Sequence, residues 1–374
     1  MEPATVGVVG LGTMGIGIVQ VFAAAGYRVL ATDSHAPARD SALDRLSAAL
    51  ASRVAAGKMT EAARAETLAR VQLVENPGQM GDAELAIEVV VEDLTAKQAI
   101  FAALERVMAP DAVLASNTSS LSIAALAKGL VRPERLVGLH FFNPAPAMRL
   151  VELVPHSGTS APALQKVRAL MHPAGKTLID SPDRPGFIVN RCARPFYGEA
   201  LALLEEGRTA AEVDAAMLAS GYRMGPFSLI DLVGADINLA ATEGLNRAMG
   251  GHPRYHVFAA LRAQVGSGNL GRKTGRGFVF PDPPASPPSD AAAIVLRIEA
   301  TLANEAGWLR AEGGVQREGI DTAMKLGLNL PRGPFECLRA HGAATILAEL
   351  ERLERLAPAH LRGRYLPAPE LDAA

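Results

Sequence analysis

His140 and Glu152 stand twelve positions apart in the stretch 138–152, GLHFFNPAPAMRLVE. An apolar run over 135–142 carries the histidine near its end, and a second over 148–154 carries the carboxylate. Between them lies a short turn, 143–147, with two prolines. If both runs are strands, the turn brings the carboxylate back beside the imidazole. A histidine held by a carboxylate is a standard arrangement for moving a proton near neutral pH. A lone histidine in an apolar strand is also met as a satisfied core residue, so the rest of the chain has to supply a reason for chemistry here.

The elements before this stretch supply one. Residues 5–9 read as a first strand, leading into Gly10-Leu11-Gly12-Thr13-Met14-Gly15 and an apolar helix over 16–25. Gly26 suits the left-handed position that ends a helix, and a second strand over 28–32 runs into Asp33. A GxGxxG between a strand and a helix, with an acid about 20 residues on, is a dinucleotide-binding pattern. The first glycine permits the tight turn, and the second lets the backbone approach a pyrophosphate. The third allows close helix packing, and the phosphates sit on the helix N-terminus. Asp33 would bond the ribose hydroxyls of NAD and repel the extra phosphate of NADP.

A long helix is expected from Pro37, with Leu43, Leu46, Leu50 and Val54 on one face. Arg45, Arg53 and Lys58 on or beyond it could meet a phosphate-bearing ligand or simply solvate an exposed face. Thr60 can cap the next helix, to residue 70. Residues 85–91 read as a strand that is apolar apart from Glu88, which suits a sheet covered on both sides. That strand delivers Glu92 at its carboxyl end, where open α/β sheets bind ligands. Lys97 follows about one helical turn later, and the two could equally be a surface acid–base pair. A strand over 113–115 ends in Ser116-Asn117-Thr118-Ser119-Ser120, a hydroxyl-lined ledge that can also cap a helix from Ser122. A helix over 161–172 and a strand over 177–180 complete the alternation. The fold class expected for residues 1–184 is an α/β Rossmann-type, NAD-binding domain.

From Pro185 the pattern becomes helical, and it repeats. IVNRCARPFYGEA at 188–200 returns as IVLRIEATLANEA at 294–306, and Gly225-Pro226-Phe227 returns as Gly333-Pro334-Phe335. The expected organisation is a helical domain over 185–281, a proline-rich linker over 282–290 and a degenerate second helical copy over 291–374. Asn190 is matched by Leu296 and Asp231 by Arg339, so the second copy reads as scaffold.

The bulk numbers narrow the classes. The 374 residues allow two or three domains, and a net charge of −2 gives no reason to expect nucleic acid or an anionic membrane as partner. Two distant cysteines fit a reducing compartment. No apolar stretch approaches the roughly 20 residues of a membrane span, and the N-terminus lacks a signal-peptide pattern, so a cytoplasmic location is expected. No metal-ligand spacing is present.

Taken together these residues resemble the L-3-hydroxyacyl-CoA dehydrogenase family, which includes the 3-hydroxybutyryl-CoA dehydrogenases. The likeness runs from Val6 to Phe280. Its most specific pieces are SNTSS at Ser116, GLHFFNP at Gly138, LVE at Leu150, PGFIVNR at Pro185, GPF at Gly225 and KTGRGF at Lys273. The resemblance implies NAD-dependent oxidation of a (3S)-3-hydroxyacyl-CoA, with His140 as catalytic base and Glu152 as its orienting partner. It implies substrate contacts from Ser119 and Asn190, and NAD contacts from Asp33, Glu92, Lys97, Asn143 and Lys273 beside the glycine loop. It also implies a monomer or a homodimer, with the second helical copy in the place of a dimer partner. Two rivals stand beside this reading: a dehydrogenase of a non-CoA hydroxy acid on the same scaffold, and a non-catalytic NAD-binding structural or sensor protein.

Overall fold

The computed structural model of the chain describes residues 3–282, 285–369 and 371. Two residues of the expected linker, 283 and 284, and the end of the second copy, 372–374, lie outside the described residues. The chain divides into two compact units, Met1–Arg184 and Pro185–Ala374.

The first unit is one eight-stranded sheet in the order β3-β2-β1-β4-β5-β6-β7-β8. The strands are β1 Thr5–Val9, β2 Arg28–Thr32, β3 Val71–Leu73, β4 Leu85–Glu88, β5 Val113–Ser116, β6 Leu136–Phe141, β7 Leu150–Pro155 and β8 Thr177–Asp180. Every pairing is parallel except that of β6 with β7. β1, β4, β5 and β6 are buried along their whole length, as strands with both faces covered must be. The helices are α1 Thr13–Ala24, α2 Ala36–Asp40, α3 Ala42–Ala55, α4 Glu61–Ala69, α5 Leu94–Val107, α6 Ile123–Ala127 and α7 Ala161–Met171. The run from Gly15 to Ala23 in α1 is buried, so this helix is apolar on all sides and inserted in the core.

Two expectations change here, and one element is added. The long helix from Pro37 is two helices joined at Ser41, and Leu43 is 37% exposed. The buried stripe runs through Ala42, Leu46 and Leu50, which rotates Leu43 to the flank. The expected strand 85–91 stops at Glu88, whose carboxylate accepts the Val90 N–H at 2.7 Å and turns the chain; Val91 is 71% exposed. The short edge strand β3 follows α4 unannounced, because three residues are too few to show an alternation.

The second unit is helical: α8 Val189–Cys192, α9 Arg194–Glu205, α10 Ala210–Ala219, α11 Pro226–Val233, α12 Ala235–Ala248, α13 Ala259–Gly266, α14 Ala291–Ala311, α15 Arg317–Leu328, α16 Pro334–His341 and α17 Ala343–Leu356. The duplication is plain in the geometry. Asp214 of α10 accepts the Phe227 and Ser228 N–H groups at 2.9 and 2.7 Å, and Asp321 of α15 accepts the Phe335 N–H at 2.8 Å. A Cβ at Gly225 or Gly333 would lie 2.3 Å from the capping carboxylate. The repeated Gly-Pro-Phe is therefore a helix start, with glycine admitting the acid and proline at N1. Where the first copy breaks between α8 and α9, just before Pro195, the second runs straight through as α14.

The two copies pack into one unit through a reciprocal set of buried ion pairs. Arg191 Nε meets Glu305 at 2.7 Å and its terminal nitrogens meet Glu312 at 2.7 and 2.8 Å. Arg297, its counterpart, meets Glu199 at 2.9 Å and Glu206 at 2.6 and 2.8 Å. Arg254 and Tyr255 close on Glu305, as Arg364 and Tyr365 close on Glu199. Each bond has its mirror, the hallmark of a two-fold contact surface.

Candidate active site

The nucleotide loop follows the expected division of labour. Gly10 has φ +105°, and a Cβ there would lie 2.6 Å from the Val89 carbonyl. A Cβ at Gly15 would fall 1.8 Å from the Gly10 oxygen, so the third glycine seats α1 against the loop. At Gly12, the N-cap of α1, a Cβ would meet nothing within 4 Å. The open side thus lies where helix N–H groups lack intrahelical acceptors, the place for a pyrophosphate. Thr13 and Met14 complete this turn as the first residues of α1. Asp33 lies at the end of β2, and its carboxylate accepts the Leu11 N–H at 2.7 Å and the His35 N–H at 2.8 Å. One acid therefore rigidifies the loop and marks where the ribose would lie. These residues fit NAD.

His140 and Glu152 face each other across the antiparallel β6–β7 pair, in register. The Nδ1 to Oε2 distance is 2.6 Å, with Glu152 fully buried and the histidine side chain 8% exposed. Strand alternation explains the placement. Val137, Leu139 and Phe141 enter the main core on one face, with Val151 and Leu153 of β7, which turns His140 and Glu152 to the other. The Phe142 ring sits 4.5 Å from the imidazole, centroid to centroid.

Asn143 begins the turn and is exposed. The turn is held by Lys176, a residue not singled out in the sequence, whose ammonium donates to the Ala145 and Met148 carbonyls at 2.5 and 2.7 Å. Burial pushes that amine down to about 8.

The 116–120 segment forms the expected hydroxyl-lined ledge but does not cap α6. Asn117 Oδ1 accepts the Phe141 N–H at 2.8 Å, tying the end of β5 to β6 one residue from the histidine. Thr118 and Ser120 hydroxyls both donate to Glu92 Oε1, which also lies 3.3 Å from the Ser119 N and 3.2 Å from the Ser120 N. Ser119 stands exposed at the crest of this loop. Burial pushes the Glu92 carboxyl up, but the two hydroxyls and the Lys97 ammonium outweigh it and hold the group below the usual carboxylate range. Ser122 and Asp183 together cap α6.

Lys97, expected beside Glu92, is found there in a buried position. It is 1% exposed, with its nitrogen 2.6 Å from Glu88 Oε1 and 3.2 Å from Glu92 Oε2. Glu88, likewise not singled out as a partner, is buried and takes a further hydrogen bond from the Ser116 hydroxyl at 2.7 Å. The Glu92–Lys97 pair is one the sequence offers; that the cation is shared with Glu88 is not, because the two lie on different elements.

In the second unit Asn190 lies half-buried in α8, its carbonyl accepting from Arg194 Nε at 2.9 Å. Lys273 pairs with Asp236 at 2.6 Å. Asp231, whose loss from the second copy had suggested a lost polar site, is structural: it accepts the Phe278, Val279 and Phe280 N–H groups at 2.8, 2.9 and 2.9 Å. It fastens the end of KTGRGF and the two residues after it, and at the matching place Arg339 lies 3.7 Å from Asp321 instead. Among the described residues no group of three or more metal-ligating side chains occurs, and no helix is long and apolar enough to cross a membrane.

Comparison with known proteins completes this picture. Residues 5–184 match the NAD-binding domain of 3-hydroxyacyl-CoA dehydrogenase, and the C-terminal domain of the same family matches twice, at 186–280 and 294–371. A 3-hydroxyadipyl-CoA dehydrogenase of Escherichia coli is 43% identical over 275 residues, 73% of this chain and 58% of that protein's length. A probable 3-hydroxybutyryl-CoA dehydrogenase of Bacillus subtilis is 38% identical over 280 residues, 74% of this chain and 97% of its own. The crystal structure of 3-hydroxybutyryl-CoA dehydrogenase from E. coli superposes with a TM-score of 0.90 at 32% identity, covering 100% of this chain and 98% of that one. With a glycine loop built for NAD, a histidine–carboxylate pair on the same sheet and a doubled helical domain, this chain belongs to the 3-hydroxyacyl-CoA dehydrogenase family of NAD-dependent oxidoreductases.

Proposed function

We propose that the chain catalyses the reversible oxidation of a (3S)-3-hydroxyacyl-CoA to the 3-ketoacyl-CoA, with His140 as general base. The observation that carries this reading is the 2.6 Å pair between His140 Nδ1 and Glu152 Oε2. A buried carboxylate on Nδ1 fixes the tautomer with the proton on that nitrogen, so Nε2 is the basic one. Nε2 takes the proton of the substrate hydroxyl, and Glu152 steadies the imidazolium that results. NAD, when bound, accepts the hydride that leaves C3. Ser119 and Asn190 are assigned to the substrate's oxygens. Asp33, Glu92, Lys97, Asn143 and Lys273 are assigned to the cofactor together with Gly10, Gly12, Thr13, Met14 and Gly15.

The relatives named for 3-hydroxybutyryl-CoA and 3-hydroxyadipyl-CoA support an acyl-CoA substrate over a free hydroxy acid. The test is NADH consumption with acetoacetyl-CoA and longer 3-ketoacyl-CoAs, with NADPH in parallel. Turnover is expected with NADH, and well below it with NADPH because of Asp33. No turnover on any thioester would sink the substrate class.

The same reading makes the second helical copy a built-in dimer partner. Its support is the reciprocal Arg191–Glu305 and Arg297–Glu199 pairing, which is what a two-fold contact between single copies would contain. The B. subtilis relative, matched over 97% of its length by 74% of this chain, has the span of one copy. Light scattering should give a monomer for the full chain. Truncation near Pro281 should produce dimers or aggregates, since it bares two buried charged groups. A well-behaved, active, truncated monomer would remove the idea. A cytoplasmic setting accompanies this reading, in keeping with two buried free thiols, Cys192 and Cys337.

A further inference from the structure

The reciprocal network between the two helical copies holds them together but cannot choose between partners. Arg191 and Arg297, Glu199 and Glu305, Glu206 and Glu312, and Tyr255 and Tyr365 occupy equivalent places, so each copy carries the whole set. Two first copies, or two second copies, would close the same ion pairs as one of each. A further bond between the copies has no mirror. Tyr222, just after α10, donates its hydroxyl to Glu299 of α14 at 2.9 Å, with both residues buried. Their counterparts are apolar. Ala193 stands at the place of Glu299 in the repeated run, and Leu330 follows Asn329, of φ +53°, as Tyr222 follows Gly221, of φ +91°. Ala193 and Leu330 are buried as well.

The second copy supports its side of this bond with groups of its own. Glu299 also accepts from Arg332 at 3.0 Å and lies 2.5 Å from His341 Nε2, where the first copy has Met224 and Val233. Tyr222 brings only its ring and its hydroxyl. The ring stacks on Phe196 at 5.7 Å, and burial pushes the phenol up, so it stays protonated and donates. Against another first copy the two-fold would set it opposite Ala193, and a buried hydroxyl without an acceptor is costly. Between two second copies Glu299 would face Leu330 and lose one donor. We propose that Tyr222 and Glu299 set the choice of partner: the contact face of the first helical copy prefers the second copy of this chain over another first copy. This rests on the reading of the second copy as a built-in dimer partner and names the residues that enforce it.

The test uses the full chain with a protease site placed in the linker, cut after folding and then incubated. Light scattering separates the complex of one larger and one smaller fragment from dimers of the larger fragment. Exchanging two unlike pairs for two like pairs loses two Tyr222–Glu299 bonds, each worth about tenfold as a hydrogen bond to a charged group. The cut wild type should therefore stay in unlike pairs, favoured by about a hundredfold. Y222F keeps the ring and its stacking and loses the hydroxyl, so dimers of the larger fragment should rise toward their statistical share. Y365F is the control. Its lost bond to Glu199 has a mirror, so like and unlike pairings lose equally and the partition should not move, although the fold is weakened. Y222F with the wild-type partition would overturn the proposal, as would Y365F shifting it equally or a cut wild type that redistributes. The uncut wild type is measured first. A dimer there would overturn the built-in partner reading and this inference with it, whereas a monomer whose Y222F variant does not redistribute overturns this inference alone.

Discussion

Both units bury charge, and they use it in opposite ways. In the helical unit every buried guanidinium of the reciprocal network is enclosed by carboxylates from the other copy. Burial pulls Arg191 down, but Glu312 and Glu305 outweigh it and hold it above its ordinary value; Glu199 is held below its own by Arg364 and Arg297 against the pull of burial. The network is closed and symmetric, and its members serve cohesion. In the sheet unit the buried groups form chains with one end toward a loop: Glu152 to His140, and Glu88 through Lys97 to Glu92. A closed network stabilises; an open-ended one aims a group at something not yet bound. Buried ion pairs add little net stability over apolar packing, yet breaking one leaves a costly orphan charge. The same deletion should therefore be read as lost stability in one unit and lost turnover in the other.

The largest effect that would sharpen this contrast is His140→Ala. It should lower kcat by about 10²–10⁴ while the melting temperature changes little. Near wild-type turnover would remove His140 from the mechanism and with it the contrast. The mirror experiment is Arg297→Met, which strands Glu199 and should cost about 3–5 kcal/mol of stability in denaturant titration. Its kcat per folded molecule should be unchanged, and a catalytic defect at full folding would break the division of labour.

Acid should act on the same network. The folded value of Glu199 lies below its ordinary 4.5, so the stabilisation it brings is fully present above that pH. It is lost as pH falls through the depressed value, so the wild-type chain should lose stability on acidification below about 4.5 more steeply than Arg297→Met. Glu152→Gln comes next. Glutamine can still accept from Nδ1–H but cannot balance a cation, so kcat should fall by about 10²-fold or less, measured as for His140→Ala. The smallest effects belong to the hydroxyls of the two-fold network. Tyr255→Phe and Tyr365→Phe should each cost about 1 kcal/mol, with Tyr255 the larger because its bond to Glu305 is 2.6 Å against 3.2 Å for Tyr365 to Glu199. A large loss for one and none for the other would show that the copies are not energetic equivalents.

Much of this was legible in one dimension because it depends on local pattern. The nucleotide turn is written in three glycines and one acid. The imidazole–carboxylate pair is implied by two apolar runs and a short turn, since strand pairing leaves few registers once one face must be buried. The duplication is legible as repeated helix starts. What was misread depends on partners far along the chain. Leu43 was assigned to a buried face because four leucine-like positions align. The stripe that packs is set by Ala42, Leu46 and Leu50, through what α1 presents to it. The Glu92–Lys97 pair is read as a surface feature, because Glu88, which draws the ammonium inside, lies on another element. Asp231 read only as a polar residue that the second copy lacks, because the three N–H groups it caps lie 47 to 49 positions on.

By itself, then, the sequence determined the family, the NAD site at the start of α1, the strand pair carrying His140 and Glu152, and the doubled helical domain. These rest on residue types and spacings that local backbone geometry converts into structure with little choice. Only the tertiary structure decided which charges meet: that Glu88 and Glu92 share Lys97, that Lys176 holds the turn after His140, and that Arg191 and Arg297 exchange carboxylates between copies. Burying a charge requires a partner within hydrogen-bond reach, and the partner is chosen by packing in space, where residues more than a hundred positions apart, as Arg191 and Glu305 are, become neighbours.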